Sequence, residues 1–251
     1  MADDFILQTS GLTKEFKGFF AVNGVDLSIR RGAIHALIGP NGAGKTTCFN
    51  LLTKFLNPSR GSIVYKGVDI TRTPPADVAR LGLVRSFQIS AVFPRLTAAE
   101  NVRIALQRRR GGSFDFWRPQ SVLNEMNARA LELLDSVGLI QFANVLAGEL
   151  SYGRKRSLEI ATTLALDPEV MLLDEPMAGM AQEDVGRIAA LIKKASSNRT
   201  ILMVEHNLSV VADLSDFITV LARGRVLAEG DYATVSKDER VIEAYIGVGH
   251  A

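Results

Sequence analysis

Cysteine is almost absent from this sequence, since Cys48 is the single cysteine among 251 residues. One thiol cannot form an internal disulfide, so the fold must depend on a packed core, and a chain of this length is able to bury one. Scarce cysteine is typical of proteins in a reducing compartment, which favours the cytoplasm. Cys48 itself lies in a predicted helix, and we interpret it as a small buried residue.

Long apolar runs are also missing. No stretch approaches the roughly 18 to 20 apolar residues that a membrane-spanning helix needs, because Gly, Asp, Glu or Pro interrupts each run. The beginning of the chain, MADDFILQTSG, carries acids where a secretory signal carries cations. We therefore expect neither a transmembrane helix nor export, and predict a soluble or peripheral protein.

The chain lacks a strong charge of either sign, because 29 cationic residues stand against 27 acidic ones and leave a formal net charge of +2. Such a balance gives little long-range attraction to nucleic acids or acidic lipids. Any function that needs positive charge must be local. One run of three consecutive cations, Arg154 to Arg156, spans less than one helical turn, so its members cannot all face one ligand. We predict that most of this charge lies on a solvated helix face.

The pattern of apolar residues divides the chain into three parts. Strand-like alternation dominates the first third, and strands alternate with helices of about 12 residues in the last third, which predicts a mostly parallel sheet covered on both faces. Between about residues 88 and 138 the apolar spacing is helical, with Gly138 as a C-terminal cap, which predicts a helical insertion. The Arg- and Gly-rich stretch 108–119 is interpreted as a connector.

A glycine-rich segment, GPNGAGKT, matches the pattern G-x-x-x-x-G-K-[ST]. It lies between a predicted strand, AIHALIG, and a predicted helix with apolar residues at Phe49, Leu52 and Phe55, which is the context that a phosphate loop requires. Glycines allow backbone N–H groups to approach phosphates closely, and the positive helix end favours negative charge. We predict that nucleotide phosphates are bound by Gly39, Pro40, Asn41, Gly42, Ala43, Gly44, Lys45, Thr46 and Thr47.

Three side chains in the last third are placed to complete such a site. VMLLDE predicts a central strand that delivers Asp174 and Glu175 to the carboxyl edge of the sheet, where phosphate-loop enzymes bind ligands. We predict that Lys45 contacts the β and γ phosphates, that Asp174 supports Mg²⁺ together with the Thr46 hydroxyl, and that Glu175 orients or deprotonates the attacking water. His206 follows another predicted strand, RTILMVE, and is predicted to reach the γ-phosphate or this water.

These motifs, GPNGAGKTT, LSYGRKR, MLLDEP and VEH in this order, resemble those of the ATP-binding cassette ATPases, and the resemblance covers essentially the whole chain. It implies an α/β fold with a phosphate-loop (RecA-like) core of mostly parallel sheet, an antiparallel β subdomain and an inserted α-helical subdomain. We expect residues 1–251 to form one such ATPase domain. The expected core with its β subdomain covers about 1–87 and 157–251, and the expected helical subdomain with the signature segment covers about 88–156.

The resemblance also implies roles for residues outside the phosphate loop. Gln88 in VRSFQ is similar to the glutamine that joins the core to the helical subdomain and touches Mg²⁺ or water, which makes it both a metal ligand and a catalytic residue. Phe16 is similar to the aromatic that stacks on adenine; a buried strand aromatic is the alternative. The segment expected to face a partner subunit's nucleotide consists of Leu150, Ser151, Tyr152, Gly153 and Arg154.

By this resemblance, two ATP molecules are sandwiched in a dimer, each between one subunit's phosphate loop and the other's signature segment. Ser151 is a suitable N-cap for the helix that follows, so that its hydroxyl and the helix end can meet a γ-phosphate. The chain departs from the common pattern at Tyr152 and Arg154, where many members have glycine and glutamine. Ala181 stands where many have an aspartate that serves communication between subunits, which makes an asymmetric pair of sites plausible.

Finer details, VRSFQ, EPMAGM, VEHN and a tail ending VIEAYIG, resemble the ATP-binding subunits of importers for branched-chain amino acids and their amide or urea relatives. This implies a location on the cytoplasmic face of the inner membrane, a sister ATPase (a homodimer being the alternative), two membrane permease subunits reached through about residues 89–101, and indirectly an extracytoplasmic solute-binding protein. An export ATPase of the lipopolysaccharide-extraction type is a second hypothesis. A nucleic-acid-directed relative is a third, disfavoured by the near-neutral charge.

Overall fold

The computed structural model of the protein describes residues 4–86, 92–109 and 120–246. The strands within them are β1 (Phe5–Phe16), β2 (Phe19–Arg30), β3 (Ile34–Ile38), β4 (Arg60–Tyr65), β5 (Val68–Asp69), β6 (Leu83–Ser86), β7 (Val170–Asp174), β8 (Thr200–Val204), β9 (Phe217–Ala222) and β10 (Arg225–Gly230). The α-helices are α1 (Lys45–Leu52), α2 (Pro75–Arg80), α3 (Ala98–Arg109), α4 (Gln120–Ser136), α5 (Tyr152–Ala165), α6 (Gln182–Ser196), α7 (Leu208–Leu214), α8 (Tyr232–Val235) and α9 (Glu239–Ile246).

The larger sheet has six strands in the order β10-β9-β3-β8-β7-β6. Strand β3 pairs in parallel with β8 and β9, and β7 pairs in parallel with β8 and β6, whereas β10 is antiparallel to β9. All residues of β3, β7 and β8 are buried, as expected for central strands whose faces are both covered. The predicted mostly parallel sheet is confirmed.

Two hydrophobic clusters lie on opposite faces of this sheet. Alternate residues of the central strands, such as Ala36 and Met203, pack with side chains of α3, α4 and α5. Their neighbours Leu37 and Leu202 pack instead with side chains of β1, β2, β4 and α1, where Cys48 is fully buried as predicted. This alternation is what a strand with a two-residue side-chain period requires. It places the helical segments on one face and the second sheet on the other.

The smaller sheet is antiparallel, with the order β2-β1-β4-β5. Its β4–β5 hairpin turns at Lys66 and Gly67, whose φ angles of 51° and 75° are those of a two-residue hairpin turn. The helical insertion is confirmed over α3 and α4, which pack against each other and against α5. Gly138, with φ 72°, follows α4 as the predicted cap. Residues 110–119 of the predicted connector lie outside the described residues.

Helix α1 is shorter than its apolar spacing predicts. The helix ends at Leu52, where the Thr53 hydroxyl donates a 2.7 Å hydrogen bond to the Phe49 carbonyl and Lys54 takes a left-handed backbone conformation with φ 64°. Phe55 therefore leaves the helical face and is 53% exposed. Among the residues described here, no helix is long and apolar enough to cross a membrane.

Candidate phosphate-binding site

The carboxyl ends of three neighbouring strands bring the predicted residues to one edge of the sheet. Val204 of β8 pairs with Leu37 of β3 on one side and with Asp174 of β7 on the other. These three paired residues lie side by side across the sheet. The phosphate loop, Glu175 and His206 each come one or two residues after one of them, so they lie at the same edge of the sheet. Strand β6 lies beside β7, but Gln88, which comes shortly after it, lies outside the described residues.

Two glycines of the phosphate loop are required by close backbone contacts. Gly39 has φ 146°, and a Cβ atom there would lie 2.1 Å from the carbonyl oxygen of Leu221. Gly44 has φ 100°, and its Cβ would lie 2.3 Å from the carbonyl oxygen of Ala21 in β2. Contacts this short exclude any side chain, so the loop is wedged between the two sheets. In this fold, glycine is therefore required at positions 39 and 44 by the contact of the loop with neighbouring strands, as well as by the approach to phosphate.

Lys45 begins α1 directly after the loop, and its Nζ donates hydrogen bonds of 2.6 and 3.0 Å to the carbonyls of Gly39 and Pro40. Burial lowers the pKa of Lys45, while the charges of Glu175 and then Asp174 act in the opposite direction. The lysine and the two acids therefore lie within electrostatic reach of one another. Of the other loop residues, Asn41, Gly42 and Thr46 are exposed, Thr47 is half-buried and Ala43 is buried.

Asp174 is 4% exposed and forms an ion pair with Arg85 of the neighbouring strand β6. Arg85 also donates a 2.5 Å hydrogen bond to Asn50 Oδ1, and its guanidinium lies 5.9 Å from the centre of the Phe49 ring. Arg85 thus orients the Asp174 carboxylate from the neighbouring strand. Sequence reasoning missed it, although a cation inside the apolar strand LVRS was a signal.

Glu175 takes a left-handed backbone conformation, with φ 44°, directly after β7. Its amide donates a 2.9 Å hydrogen bond to the carbonyl of Val204, and its side chain is half-buried. A non-glycine residue in this conformation is strained and persists only where its surroundings hold it. The backbone change ends the strand and separates the environment of Glu175 from that of the buried Asp174.

His206 is exposed after β8, as its predicted role requires, and the residue before it proves to be structurally important. Glu205 is fully buried, and its carboxylate accepts hydrogen bonds from the amides of Met177 at 3.0 Å, His206 at 3.1 Å and Asn207 at 3.3 Å. It thus joins the loop after β7 to the loop after β8. The sequence shows an acid next to a histidine but not this bridging position.

The signature segment leads into α5. Ser151 is the N-cap residue of α5 and is exposed, but its hydroxyl makes no capping hydrogen bond, so only the position of the predicted cap is confirmed. Leu150 is 5% exposed and packs in the core, which removes its side chain from the surface expected to face a partner. Gly153 is buried, and a Cβ there would lie 2.4 Å from Asp184 Oδ2 of α6.

The prediction of a mostly solvated cationic face fails for Arg156, which is buried, whereas Arg154 and Lys155 are half-buried, and each of the three cations has its own partner. The Arg154 guanidinium lies 4.0 Å from the centre of the Phe142 ring. Lys155 Nζ donates a 2.9 Å hydrogen bond to the Gly148 carbonyl. Arg156 is only 5% exposed and pairs with Glu159. Local sequence could not show that α5 turns its Arg156 face inward.

Two further predicted positions, Phe16 and Ala181, are exposed. Phe16 ends β1 with 43% of its surface exposed, so the alternative of a buried strand aromatic does not hold, and Lys14 Nζ lies 5.2 Å from its ring centre. Strand β2, which forms a hairpin with β1, contains Ala21, the residue against which Gly44 packs. Ala181 is the exposed N-cap residue of α6 and has no side-chain oxygen with which to cap it.

Comparisons with known proteins agree with this geometry. The family model described as ABC transporter matches residues 22–178, and the model described as branched-chain amino acid ATP-binding cassette transporter matches residues 225–251. The chain is 41% identical over 249 residues to the high-affinity branched-chain amino acid transport ATP-binding protein BraF of Pseudomonas aeruginosa, covering 96% of this chain and 98% of BraF. It is 38% identical over 252 residues to LivG of Escherichia coli, with the same coverage.

Solved structures give the same result for the fold. A nucleotide-free ATP-binding cassette from an ABC transporter superposes with a TM-score of 0.85 at 31% identity, covering 97% of this chain and 99% of that one. A dimeric bacterial ABC transporter cassette superposes with a TM-score of 0.77 at 27% identity, covering 90% of this chain and 98% of that one. The glycine loop, the two carboxylates at the sheet edge and these matches together show that the chain belongs to the ABC transporter family and is one of its ATPases.

Proposed function

We propose that this ATPase powers a membrane importer for branched-chain amino acids or related amides or urea. The observation that carries the ATP-hydrolysing part of the proposal is that Lys45, Asp174 and Glu175 share one electrostatic site at the carboxyl edge of the parallel sheet. The names of BraF and LivG, relatives that match the chain over nearly its full length, support this solute class.

ATP binds to the loop of residues 39–47 in this proposal. The backbone amides of the loop and the N-terminus of α1 receive the phosphates, and Lys45 exchanges its bonds to Gly39 and Pro40 for contacts with the β and γ phosphates. The exposed ring of Phe16, beside the strand that contacts Gly44, stacks on adenine.

The residues present fit a magnesium ion. Thr46 offers an exposed hydroxyl in the first turn of α1. Asp174 offers a carboxylate, which the ion pair with Arg85 orients. Hydroxyl and carboxylate oxygens combined with substrate phosphates are the ligands that Mg²⁺ prefers. Gln88 is proposed as a further ligand. When bound, the ion neutralises charge on the β and γ phosphates.

Glu175 orients or deprotonates the attacking water, and His206 contacts the γ-phosphate or that water. The half-buried Glu175 lies within electrostatic reach of Lys45. Gln88 contributes to positioning the water. The two acids therefore have different roles: the buried Asp174 supports the metal ion, and the more exposed Glu175 acts on the attacking water.

Two cassettes act together, in this proposal, with Ser151, Tyr152, Gly153 and Arg154 of one facing the nucleotide of the other. The exposed Ser151 at the start of α5 supports this, as does the dimeric state of a structural relative. The partner is a non-identical sister ATPase, with a homodimer as the second possibility. Without an aspartate, Ala181 cannot make the usual contact between subunits, which favours two unequal sites.

The remaining partners are two permease subunits, contacted through about residues 89–101, and an extracytoplasmic solute-binding protein that acts indirectly. The cassette is then peripheral, on the cytoplasmic face of the inner membrane. No nucleic acid takes part. ATP binding closes the pair of cassettes and hydrolysis opens it, and the permeases transmit this motion to the solute path.

The test is to delete the gene, measure uptake of labelled leucine, isoleucine, valine, urea and short amides, and identify the proteins that purify with a tagged copy of the chain. We expect loss of uptake for one of these solutes and recovery of two permeases. Unchanged uptake together with a partner set of the export type would contradict the proposal and favour lipopolysaccharide extraction. Salt-sensitive binding of the chain to DNA or RNA would instead support the third hypothesis.

A further inference from the structure

The segment that follows the candidate base is a turn bound by one face of α5. The amide of Ala178 donates a 3.1 Å hydrogen bond to the carbonyl of Glu175 and closes residues 175–178 into a turn, called the base turn below. The Tyr152 hydroxyl donates to the Ala178 carbonyl at 2.8 Å, and Arg156 Nη2 donates to the Glu175 carbonyl at 3.1 Å. Residues four apart share a helix face, so α5 binds both ends of the turn.

The opposite side of the base turn is bound to β8. The buried carboxylate of Glu205 accepts the amide of Met177, within the turn, at 3.0 Å. Val204 accepts the amide of Glu175 at 2.9 Å. Four hydrogen bonds from outside the turn, two from each side, therefore hold a segment that begins with a strained left-handed residue. The position of the Glu175 backbone depends on these bonds.

Arg156 is suited to a fixed connection rather than a mobile one. It is 5% exposed, and its other terminal nitrogen, Nη1, pairs with the equally buried Glu159 one turn along α5. A guanidinium presents its donors in a rigid fork, so two acceptors are reached at once with little freedom left. Any displacement of the first turns of α5 is thereby transmitted to the Glu175 carbonyl.

We propose that Tyr152 and Arg156 are positioning residues that couple the signature segment of a subunit to Glu175 of the same subunit. This inference rests on the proposed two-site dimer, in which Ser151 and Gly153 serve the partner's nucleotide while Glu175 serves the subunit's own. Engagement of α5 with one nucleotide then adjusts the base at the other. The route does not require an aspartate at the position of Ala181.

The positioning role is tested by hydrogen exchange on the full chain, without nucleotide. Tyr152→Phe removes one hydroxyl, and Arg156→Lys keeps a cation beside Glu159 but loses the fork. We expect the amides of Met177 and Ala178 to exchange about fivefold faster in both variants. Tyr232→Phe is the matched control, because Tyr232 is 37% exposed on α8, and it should leave these amides unchanged. Wild-type exchange in both test variants would overturn the proposal.

The coupling is tested with mixed pairs of two differently tagged copies, one of which carries Glu175→Gln so that one site alone hydrolyses ATP. Tyr152→Phe is then placed either in the copy with the intact base or in the other copy. We expect about a tenfold lower kcat, at unchanged KM for ATP, when it accompanies the intact Glu175, and a smaller effect in the other arrangement.

The opposite pattern would show that Tyr152 acts only on the partner's nucleotide and would overturn the coupling. An equal effect in both arrangements would overturn it as well. A mixed pair that fails to hydrolyse ATP even with Tyr152 intact contradicts the homodimer possibility instead, and the exchange measurement then decides the positioning role by itself.

Discussion

At the residue scale, neighbouring side chains with the same chemistry have different surroundings. Asp174 and Glu175 are adjacent acids, but one is buried against Arg85 and the other is half-buried after a left-handed backbone turn. Arg154 and Arg156 differ in the same way, one lying over an aromatic ring and the other buried beside Glu159. Such differences in burial and charge determine which contacts each group can make.

Glu175→Gln keeps the shape of the side chain and removes its basicity. We expect ATP to bind with unchanged affinity while kcat falls at least about 100-fold, because general base catalysis typically contributes that much. The measurement is phosphate release together with fluorescent ATP titration. Glu183→Gln, at an exposed position in α6, is the control and should retain full turnover. Undiminished hydrolysis in Glu175→Gln would remove this residue as the base.

Lys45→Ala removes the cation with which α1 begins, directly after the glycines of the phosphate loop. Hydrogen bonds that involve charged groups contribute roughly 1.5–3 kcal/mol, so we expect the affinity for ATP to fall about 10- to 100-fold. Equilibrium titration with a fluorescent ATP analogue measures this. Lys193→Ala, on the exposed face of α6, should bind ATP normally. Normal binding by Lys45→Ala would contradict the assignment of the phosphate loop.

At the element scale, the phosphate loop is confined by two sheets. A methyl group at Gly39 would strike the carbonyl of Leu221, and one at Gly44 would strike that of Ala21, so the loop conformation depends on how β9 and β2 are placed. Helix α1 follows the loop and contributes the fully buried Cys48 and Phe49 to the core between the sheets. The binding loop is therefore supported by packing on both of its sides.

Gly39→Ala is expected to lower the free energy of unfolding by about 1–3 kcal/mol and to abolish ATP binding, because the loop must move away from Leu221. Urea denaturation and ATP titration measure the two effects. Gly67→Ala is the matched control: its φ of 75° is also positive, but nothing lies within 4 Å of the added Cβ. It should cost only the backbone strain, about 1 kcal/mol, and leave ATP binding intact. Equal effects of both substitutions would exclude the steric explanation.

At the scale of the whole molecule, the core carries a titratable group that makes stability depend on pH. His35 is 1% exposed in β3, and its Nε2 lies 2.8 Å from Thr219 Oγ1. Because the Thr219 hydroxyl donates its single proton to Glu229 at 2.6 Å, the histidine Nε2 must be the donor in the first bond. Burial lowers the pKa of His35 from 6.5 to about 4, so the folded protein holds it neutral.

The unfolded chain takes up a proton below pH 6.5, whereas the folded protein resists protonation until about pH 4. The stability associated with His35 is therefore complete above pH 6.5 and decreases as the pH falls, by about 3 kcal/mol in all at pH 4. Urea unfolding across this range should show a slope that His35→Gln lacks. Identical slopes in the two proteins would contradict the neutral buried state.

Much of the candidate site is predictable because its signals are local. The spacing of glycines and lysine in the phosphate loop, and an apolar run ending in two acids, are consequences of one strand and the turn after it. Arg85, Glu205 and Arg156 were not predicted as site residues, because their importance depends on pairing between β6 and β7, on burial beside β8 and on the rotation of α5. The length of α1 was also missed, since its end depends on Thr53 and Lys54 rather than on apolar spacing.

The sequence by itself determined the class of fold, the phosphate loop and the order of the motifs. Strand and helix periodicity and glycine spacing are local patterns, each of which extends over only a few consecutive residues. Only the tertiary structure decided which groups support them. Strand register brings Arg85 to Asp174, and packing turns Tyr152 and Arg156 toward the base turn. These contacts join residues distant in the chain, and their free energies depend on burial and on angles that no local pattern contains.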